Sequence, residues 1–220
     1  MRANDSAGAK APAHEKNMVR ELRTGILFTL VSMALLGGVY HGIVWAIGQV
    51  AFSEQAEGSL IRDAKRGVVG SRLIAQPFSR PEYFHPRPSA VNYDAAATGG
   101  ANYGPSNPNH LTAVREQLSH LIAINHVPAS QVPSDMVTAS GAGLDPHISP
   151  DGADMQVARI ATAREVSPAR VRDLVQSHIE RPTSGFLGRP RVNVLELNMA
   201  LDAVLGLAPS RTPTRESTTQ

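Results

Sequence analysis

The most pronounced feature of the hydrophobic pattern is one long apolar run near the start of the chain. From Gly25 to Phe52 there is no Asp, Glu, Lys or Arg. As an α-helix rising about 1.5 Å per residue, this run reaches roughly 40 Å, more than the hydrocarbon thickness of about 30 Å of a bilayer. A buried core helix is rarely so long, and the apolar region of a cleaved signal peptide has only about 7 to 15 residues. The pattern predicts a transmembrane helix that occupies residues 18–52 with its flanks.

Charges on the two sides of this run predict its orientation. Lys16, Arg20 and Arg23 precede it, whereas Glu54 and Glu57 follow it. Basic flanks of a membrane span tend to stay on the cytoplasmic side. We therefore expect a cytoplasmic N-terminus and an extracytoplasmic location for everything after the span.

Glycines within the run indicate where a second helix could pack. Gly38 and Gly42 are four residues apart, which is the small-xxx-small spacing that lets two membrane helices approach closely. These two glycines are the predicted helix-packing positions.

The polar interval after the span is broken by turn formers. Glycines and prolines alternate from residue 53 to residue 108, so the interval predicts short strands and turns and no long helix. One hairpin is predicted, between Ser59–Arg62 and Val68–Ile74, with a charged turn between the two strands.

The second half of the chain has helical periodicity, and each helix has a recognisable start. Asn107, Ser149 and Ser167 each stand directly before a proline, an arrangement that supplies a capping side chain and a first helical residue that needs no hydrogen-bond acceptor. Asn193, with Glu196 three residues later, predicts a fourth start of the capping-box type. About four amphipathic helices and a small irregular sheet predict an α+β fold with one core.

This organisation divides the chain into four segments. Small, polar and charged residues at both ends bury too little apolar surface to order themselves. The predicted segments are a disordered cytoplasmic leader (1–17), the membrane helix with its flanks (18–52), one extracytoplasmic domain (53–208) and a disordered tail (209–220).

Charge and composition exclude some classes of function. The net charge of +2 comes from the first 23 residues, which carry five basic and three acidic groups, and the chain after residue 52 balances at 16 against 16. A balanced domain does not predict nucleic-acid binding, which needs a dense basic face. The chain has no cysteine, and its eight histidines show no H-x-x-x-H or H-E-x-x-H grouping, so no metal site is predicted.

The polar loop from Thr138 to Pro150 is the one place where a catalytic reading starts. Ser140, Asp145 and His147 formally compose a hydrolase triad. However, the glycine that a nucleophile elbow needs two residues before the serine is replaced by Thr138. No catalytic residue is predicted, and the alternative interpretation is that these side chains cap the following helix and satisfy loop amides.

Five loop and helix motifs, taken in order, resemble the C subunit of the bacterial Kdp potassium-transporting P-type ATPase. They are GSRLIAQ (70–76), YFHPRPSA (83–90), GGANYGPSNP (99–108), VTASGAGLDPHISP (137–150) and VNVLELNMALD (192–202). With the membrane span, the resemblance covers roughly residues 20–207. Their occurrence together is far more specific than any one of them.

The resemblance implies an inner-membrane complex for high-affinity potassium import. Its partners would be a channel-like A subunit that binds potassium, a B subunit that hydrolyses ATP and a small F subunit. This chain would be a non-catalytic accessory subunit, needed for assembly, that binds no cofactor directly; ATP would act through the B subunit and potassium at the level of the complex. The family is described as a catalytic chaperone that raises the ATP affinity of the B subunit with help from the glutamine that corresponds to Gln76. With a cytoplasmic N-terminus Gln76 lies outside, so we expect this effect to be conformational.

Seven residues of the polar loops are the predicted contacts with another subunit or a ligand: Gln76, Asn102, Ser106, Asn107, Thr138, Ser140 and Asp145. Turn formation or helix capping is the alternative role of each. Two other classes of protein stay open on the sequence, namely a membrane-tethered periplasmic hydrolase and a single-span scaffold for another complex. Loss of an assayed hydrolytic activity in Ser140→Ala would favour the first.

Overall fold

The structure, a computed structural model, describes residues 13–63 and 67–206 and divides the chain into two compact units. The first unit ends at Glu57 and the second begins at Gly58. The predicted leader lies largely, and the predicted tail entirely, outside the described residues.

Within the described residues, the first unit is helical except at Phe52 and at its last residue. Helix α1 (Ala13–Ser32) begins before the predicted residue 18 and continues through a π-helical stretch (Met33–Tyr40) into α2 (His41–Ala51), which a short helix, α3 (Ser53–Ala56), follows. Within the described residues, Met18–Ala51 is the one helix that is long and apolar enough to cross a membrane, and none of its most apolar window is buried. Its apolar side chains therefore need a non-aqueous surrounding that this unit does not supply.

The π-helical stretch was not predicted. It contains the adjacent glycines Gly37 and Gly38, which weaken the α-helical preference, and such stretches widen the helix and change the pattern of backbone hydrogen bonds. The His41 ring donates from Nδ1 to the carbonyl oxygen of Leu36, five residues earlier. A polar side chain that directly follows the widened segment thus binds a carbonyl in its middle.

The second unit begins with the predicted hairpin, which is shorter than expected. Strand β1 (Leu60–Asp63) pairs antiparallel with β2 (Gly67–Ser71), and the register shifts between Ile61, opposite Gly70, and Arg62, opposite Val68. Val69 is therefore the extra residue of a β-bulge. Residues 72–107 contain no helix or strand, so the expectation of further short strands in that interval was wrong; its prolines cannot donate to a ladder.

The helical half has more pieces than predicted. The helices are α4 (Pro108–Asn125), α5 (Ser134–Val137), α6 (Pro150–Asp154), α7 (Val157–Arg164), α8 (Pro168–Ser177) and α9 (Val194–Leu205), with a 3₁₀ turn at Ala129–Gln131. A second, two-residue pair of strands joins β3 (His147–Ile148) to β4 (Val192–Asn193). All four predicted helix starts are confirmed.

The caps at these starts differ in their bonds. The side chains of Asn107, Ser149 and Asn193 each accept a backbone N–H of the first turn. Ser167 stands at the predicted position, but its side chain makes no capping bond.

One hydrophobic core lies among these helices. Its fully buried members include Phe84, Ile160, Val171, Leu197 and Leu201. Phe84 belongs to the irregular interval and reaches the core from outside the helices, so the coil of residues 72–107 is part of the packed unit. The predicted α+β class with one N-terminal apolar helix is confirmed.

Candidate functional site

Gln76 lies against the bulge of the hairpin and braces it. Its Oε1 accepts the backbone N–H of Ser71 at 3.1 Å, and its Nε2 donates to the carbonyl of Val69 at 3.4 Å. Val69 has no opposite residue in the strand register, so the glutamine amide supplies the partner that β1 does not. Gly70 makes room for this arrangement, since a Cβ there would lie 1.8 Å from Gln76 Oε1.

The next three predicted contact residues lie in or beside the turn that leads into α4. Asn107 caps that helix by accepting the N–H of Asn109 at 2.9 Å. Asn102 has a φ of 52°, in the left-handed region that Asn tolerates. The side chains of Asn102 and Ser106 are exposed to solvent, whereas Asn107 is half-buried.

Thr138 and Ser140 are held by bonds within their own loop and its neighbour. Thr138 Oγ1 donates to the carbonyl of Ser134 at 2.8 Å, which closes the end of α5. Ser140 is 3% exposed. Its N–H donates to Pro88 O at 3.2 Å, and its Oγ accepts the N–H of Asp145 at 3.5 Å.

Asp145 stands in a row in which the acidic side chains of Asp145 and Glu180 alternate with Arg87, His147 and Arg191. Its Oδ2 accepts from Arg87 at 3.1 Å, and its Oδ1 lies 3.2 Å from His147 Nδ1. On the other side of the ring, His147 Nε2 lies 3.8 Å from Glu180, which also pairs with Arg191 at 2.8 Å. Burial acts to raise the pKa of Asp145, but the hydrogen bonds from His147 and the charges of His147 and Arg87 outweigh it, so the pKa lies below its ordinary value.

A cleft of about 380 Å³ opens beside this row and is lined by Asp135, Asp145, His147, Arg87, Arg189 and Arg191. Asp135 is engaged within the fold, because its carboxylate accepts the N–H and the hydroxyl of Ser149. Most charged side chains that line the cleft thus pair with another charged residue or hydrogen-bond to neighbouring residues of the second unit.

This geometry does not give Ser140 the surroundings of a nucleophile. Its hydroxyl accepts a backbone N–H, and the side chain is buried, whereas His147 contacts Asp145 and Glu180. A catalytic serine needs its base within hydrogen-bond reach and a path for substrate. Within the described part of the chain, no group of three or more His, Asp or Glu residues is arranged to hold a metal ion.

The five motifs converge around the core. Ala75 N donates to Leu144 O at 2.9 Å, and Gly99 N donates to Ala142 O at 3.0 Å. The hydroxyl of Ser89 donates to Gly143 O at 2.7 Å. Three motif segments, 70–76, 83–90 and 99–108, are thereby fastened to the fourth, 137–150.

The fifth motif, 192–202, is joined to the hairpin end and to the coil. Asn193 Nδ2 donates to Arg72 O at 2.8 Å. The Asn198 amide accepts the N–H of Phe84 at 2.8 Å and donates to the carbonyl of Phe84 at 2.9 Å. Of the predicted contact residues, Ser140 and Asp145 meet in one loop, whereas Gln76 braces the hairpin and Asn102 and Ser106 lie beside the start of α4.

Sequence reasoning missed a set of buried polar side chains on the helices. Gln156 and Asn198 are fully or almost fully buried, and Arg159 and Arg164 are each 9% exposed. The Gln156 amide accepts His85 N and donates to His85 O, as Asn198 does for Phe84. The sequence carried no local signal for them, because Gln156 and Arg159 are spaced like the polar residues of an amphipathic helix.

Comparisons with known proteins agree over most of the chain. A family model described as KdpC, the c chain of K⁺-transporting ATPase, matches residues 22–203. A Geobacter sulfurreducens protein named potassium-transporting ATPase KdpC subunit is 46% identical over 190 residues, 85% of this chain and 100% of the relative. Relatives of the same name come from Koribacter versatilis, 44% identical over 89% of this chain and 100% of the relative, and Sorangium cellulosum, 50% identical over 84% and 98%.

Proposed function

The chain belongs to the KdpC family of K⁺-transporting ATPase c chains, and from that membership we propose that it is a non-catalytic accessory subunit of an ATP-driven potassium import complex. Its partners in the proposal are a channel-like potassium-binding A subunit, an ATP-hydrolysing B subunit and a small F subunit. It is needed for their assembly and acts as a chaperone that raises the ATP affinity of the B subunit. ATP and potassium act at the level of the complex.

The observation that carries this proposal is the combination of family membership with an apolar helix that is not buried within the described residues. Met18–Ala51 is exposed along its length, and the second unit has a complete core of its own. A subunit of a membrane transporter needs such an anchor, and lipid or partner helices are its natural surroundings. The helix lies in the bacterial inner membrane in the proposal, with a cytoplasmic N-terminus.

Docking of the span is assigned to Gly38 and Gly42. A Cβ at either position would meet nothing within 4 Å, so the backbone surface there is free for a neighbouring helix. Within the second unit, Asn102 and Ser106 have exposed side chains, and Asp145 faces a cleft. These three are the direct contacts in the proposal. Gln76, Asn107, Thr138 and Ser140 hold the loops in shape, because their side chains bond within the fold.

The chaperone effect is conformational in this proposal. With the second unit outside the cell, ATP bound to the B subunit lies across the bilayer from every loop of that unit. Any change in nucleotide affinity then reflects a coupling free energy carried through packed helices.

Copurification tests the proposal. An affinity tag on this chain, solubilised in mild detergent from cells grown with limiting potassium, is expected to recover a P-type ATPase and a channel-like membrane subunit. Gly38→Leu together with Gly42→Leu should reduce the recovery several-fold, since bulky side chains keep the helices apart. Gly25→Leu is the matched control, because this glycine also has open space around it. Recovery of neither protein with the unmodified chain would refute the subunit role.

A further inference from the structure

The second unit contains a cavity that the subunit role does not use. It has a volume of about 560 Å³ and lies between α4 and α7, beside the coil that contains Ser79 and Pro81. Its walls are mostly apolar, from Ile124, Val127 and the alanines of both helices. Small-molecule sites in proteins are concave, mostly apolar and about 300 to 1,000 Å³ in volume, with a few polar groups that fix the ligand.

The permanent charge on the wall of this cavity is of one sign, positive. Arg159 is the one lining residue with a permanent charge, and no Asp or Glu lines the cavity. His85 and His126 are the two histidines on its wall. Burial and the charge of Arg159 lower the pKa of His85 to about 4, so the ring is neutral at pH 7 and donates from Nε2 to Arg80 O at 3.1 Å.

A second arginine of the same helix shows what Arg159 lacks. Arg164 is equally buried and binds the carboxylate of Asp202 at 2.9 Å. Arg159 has no carboxylate within salt-bridge distance among the described residues. Burial lowers the pKa of Arg159 to about 10. The charge of Glu82, whose carboxylate lies beyond salt-bridge distance of Arg159 and pairs with Arg80, offsets only part of this effect.

The hydrogen bonds of Arg159 all go to neutral oxygens. Nε donates to Asn125 Oδ1 at 2.9 Å, Nη1 to the carbonyls of Pro81 and Tyr83, and Nη2 to Gln156 Oε1 at 2.7 Å. These bonds use four of the five N–H groups of a guanidinium and leave one on Nη2. The side chain is therefore fixed in position, while no carboxylate contacts the guanidinium and one of its donors has no partner among the described residues.

We propose that this cavity, which we call the Arg159 cavity, binds a monovalent organic anion with an apolar body, whose acidic group pairs with Arg159 while the body lies against Ile124, Val127 and Ala158. An immobilised cation with apolar walls favours such a ligand over a neutral molecule of the same shape. It also favours it over inorganic phosphate, which would bury extra charge without filling the apolar volume. The site depends only on residues of the second unit and stands apart from the subunit role.

Calorimetric titration of the full chain in lipid nanodiscs, with empty nanodiscs subtracted, tests the cavity. The probes are naphthalene-2-sulfonate and its neutral analogue naphthalene-2-sulfonamide. The sulfonate should bind at least about tenfold more tightly, since a charge-assisted hydrogen bond supplies that difference. Ala158→Phe, which fills the mouth from an exposed position of α7, should abolish the binding of both probes.

Ala169→Phe is the matched control, because Ala169 is equally exposed on α8 and does not line the cavity; it should leave both affinities unchanged. Arg159→Gln should remove the preference for the sulfonate, and Ala158→Phe keeps the test decisive if that variant fails to fold. Equal affinities for the two probes, or sulfonate binding that survives Ala158→Phe, would overturn the proposal.

Discussion

At the scale of single residues, three amide side chains make the backbone hydrogen bonds that a neighbouring strand makes in a sheet. Gln76, Gln156 and Asn198 each accept a backbone N–H and donate to a backbone carbonyl, Gln76 at the bulge of the hairpin and the other two in the coil of residues 72–107. A buried backbone pair left without such partners costs about 1–3 kcal/mol per group. Gln156 and Asn198 therefore allow a coil rich in proline to be packed as part of the core.

The brace at the bulge leads to a prediction about Gln76. If the chaperone effect depends on the shape of the hairpin, Gln76→Ala and Gly70→Ala should raise the KM for ATP of the assembled complex by a similar factor, about fivefold. Gly70 has an ordinary backbone conformation, so its new Cβ displaces the glutamine amide without straining the strand. The measurement is potassium-stimulated ATP hydrolysis as a function of ATP concentration.

The control for this pair is Gly104→Ala, whose Cβ would meet nothing within 4 Å; it should leave the KM unchanged. A raised KM in Gln76→Ala with a normal KM in Gly70→Ala would mean that the glutamine acts through a contact of its own.

His85 makes the stability of the second unit depend on pH. Its pKa is about 4 in the folded chain, lowered by burial and by Arg159, against about 6.5 for an unperturbed histidine. As pH falls, the unfolded chain takes up the proton first, so stability is complete above about pH 6.5 and is lost progressively towards pH 4. The free energy of unfolding should fall by up to about 3 kcal/mol over this range. Urea unfolding of the full chain followed by circular dichroism measures it, and His85→Gln should lack this component. Equal pH dependence in both chains would contradict the assignment.

The role of a side chain was predictable from the sequence only where its hydrogen-bond partner lies a few residues away in the chain. Asn107 and Ser149 cap helices through bonds to residues two and three positions away, and both follow from the proline beside them. The bonds of Gln156 to His85 and of Asn198 to Phe84 span 71 and 114 positions. No local pattern distinguishes such an amide from one that faces solvent. Likewise, Arg159 could not be told from a surface arginine of an amphipathic helix.

At the scale of elements, the helix starts were predictable and the short strands were not. A strand of two residues, such as β3 or β4, carries no periodicity to detect. The predicted second helix divides into α6 and α7 because the chain turns at Met155–Gln156, where the Gln156 side chain bonds back to the Gly152 carbonyl at 3.0 Å. The Glu196 side chain pairs with Arg72 at 3.3 Å, a tertiary partner that the capping-box pattern does not indicate.

Gly143 lies where the segments 83–90 and 99–108 meet the loop 137–150. This close packing leads to a prediction. This glycine has a φ of 70°, and a Cβ there would lie 2.6 Å from Val91 Cγ2 and 2.9 Å from the carbonyl oxygen of Gly99. Gly143→Ala should therefore destabilise the second unit by about 2–4 kcal/mol, through the strained backbone and the overlap with neighbouring atoms. Thermal unfolding of the full chain measures the loss.

Gly141→Ala is the matched control in the same loop, since its Cβ would meet nothing within 4 Å. We expect a change of less than about 0.5 kcal/mol there. Similar losses in both variants would show that the close approach at Gly143 is not what holds the loops together.

At the scale of the whole molecule, the difference in surface and core between the two units follows from their composition. The apolar side chains of Met18–Ala51 are exposed, whereas the second unit buries one core and carries 16 basic against 14 acidic groups. The long apolar run was enough to predict the first unit. The five motifs of the second unit meet around one core through tertiary hydrogen bonds. Because these contacts join residues far apart in the sequence, their meeting could not be predicted from the sequence.

The last prediction concerns the side of the membrane on which each end of the span lies. Lys16, Arg20 and Arg23 before the span should hold the N-terminus in the cytoplasm, because moving basic flanks across the bilayer is disfavoured. The chain has no cysteine, so single cysteines can report the side of the membrane without a background. In intact spheroplasts a membrane-impermeant maleimide should label Ala169→Cys, at an exposed position of α8, and should label Ser6→Cys only after lysis. The reverse pattern would put the second unit in the cytoplasm, on the same side as ATP, and a direct contact of Gln76 with the nucleotide-binding subunit would then replace the conformational route.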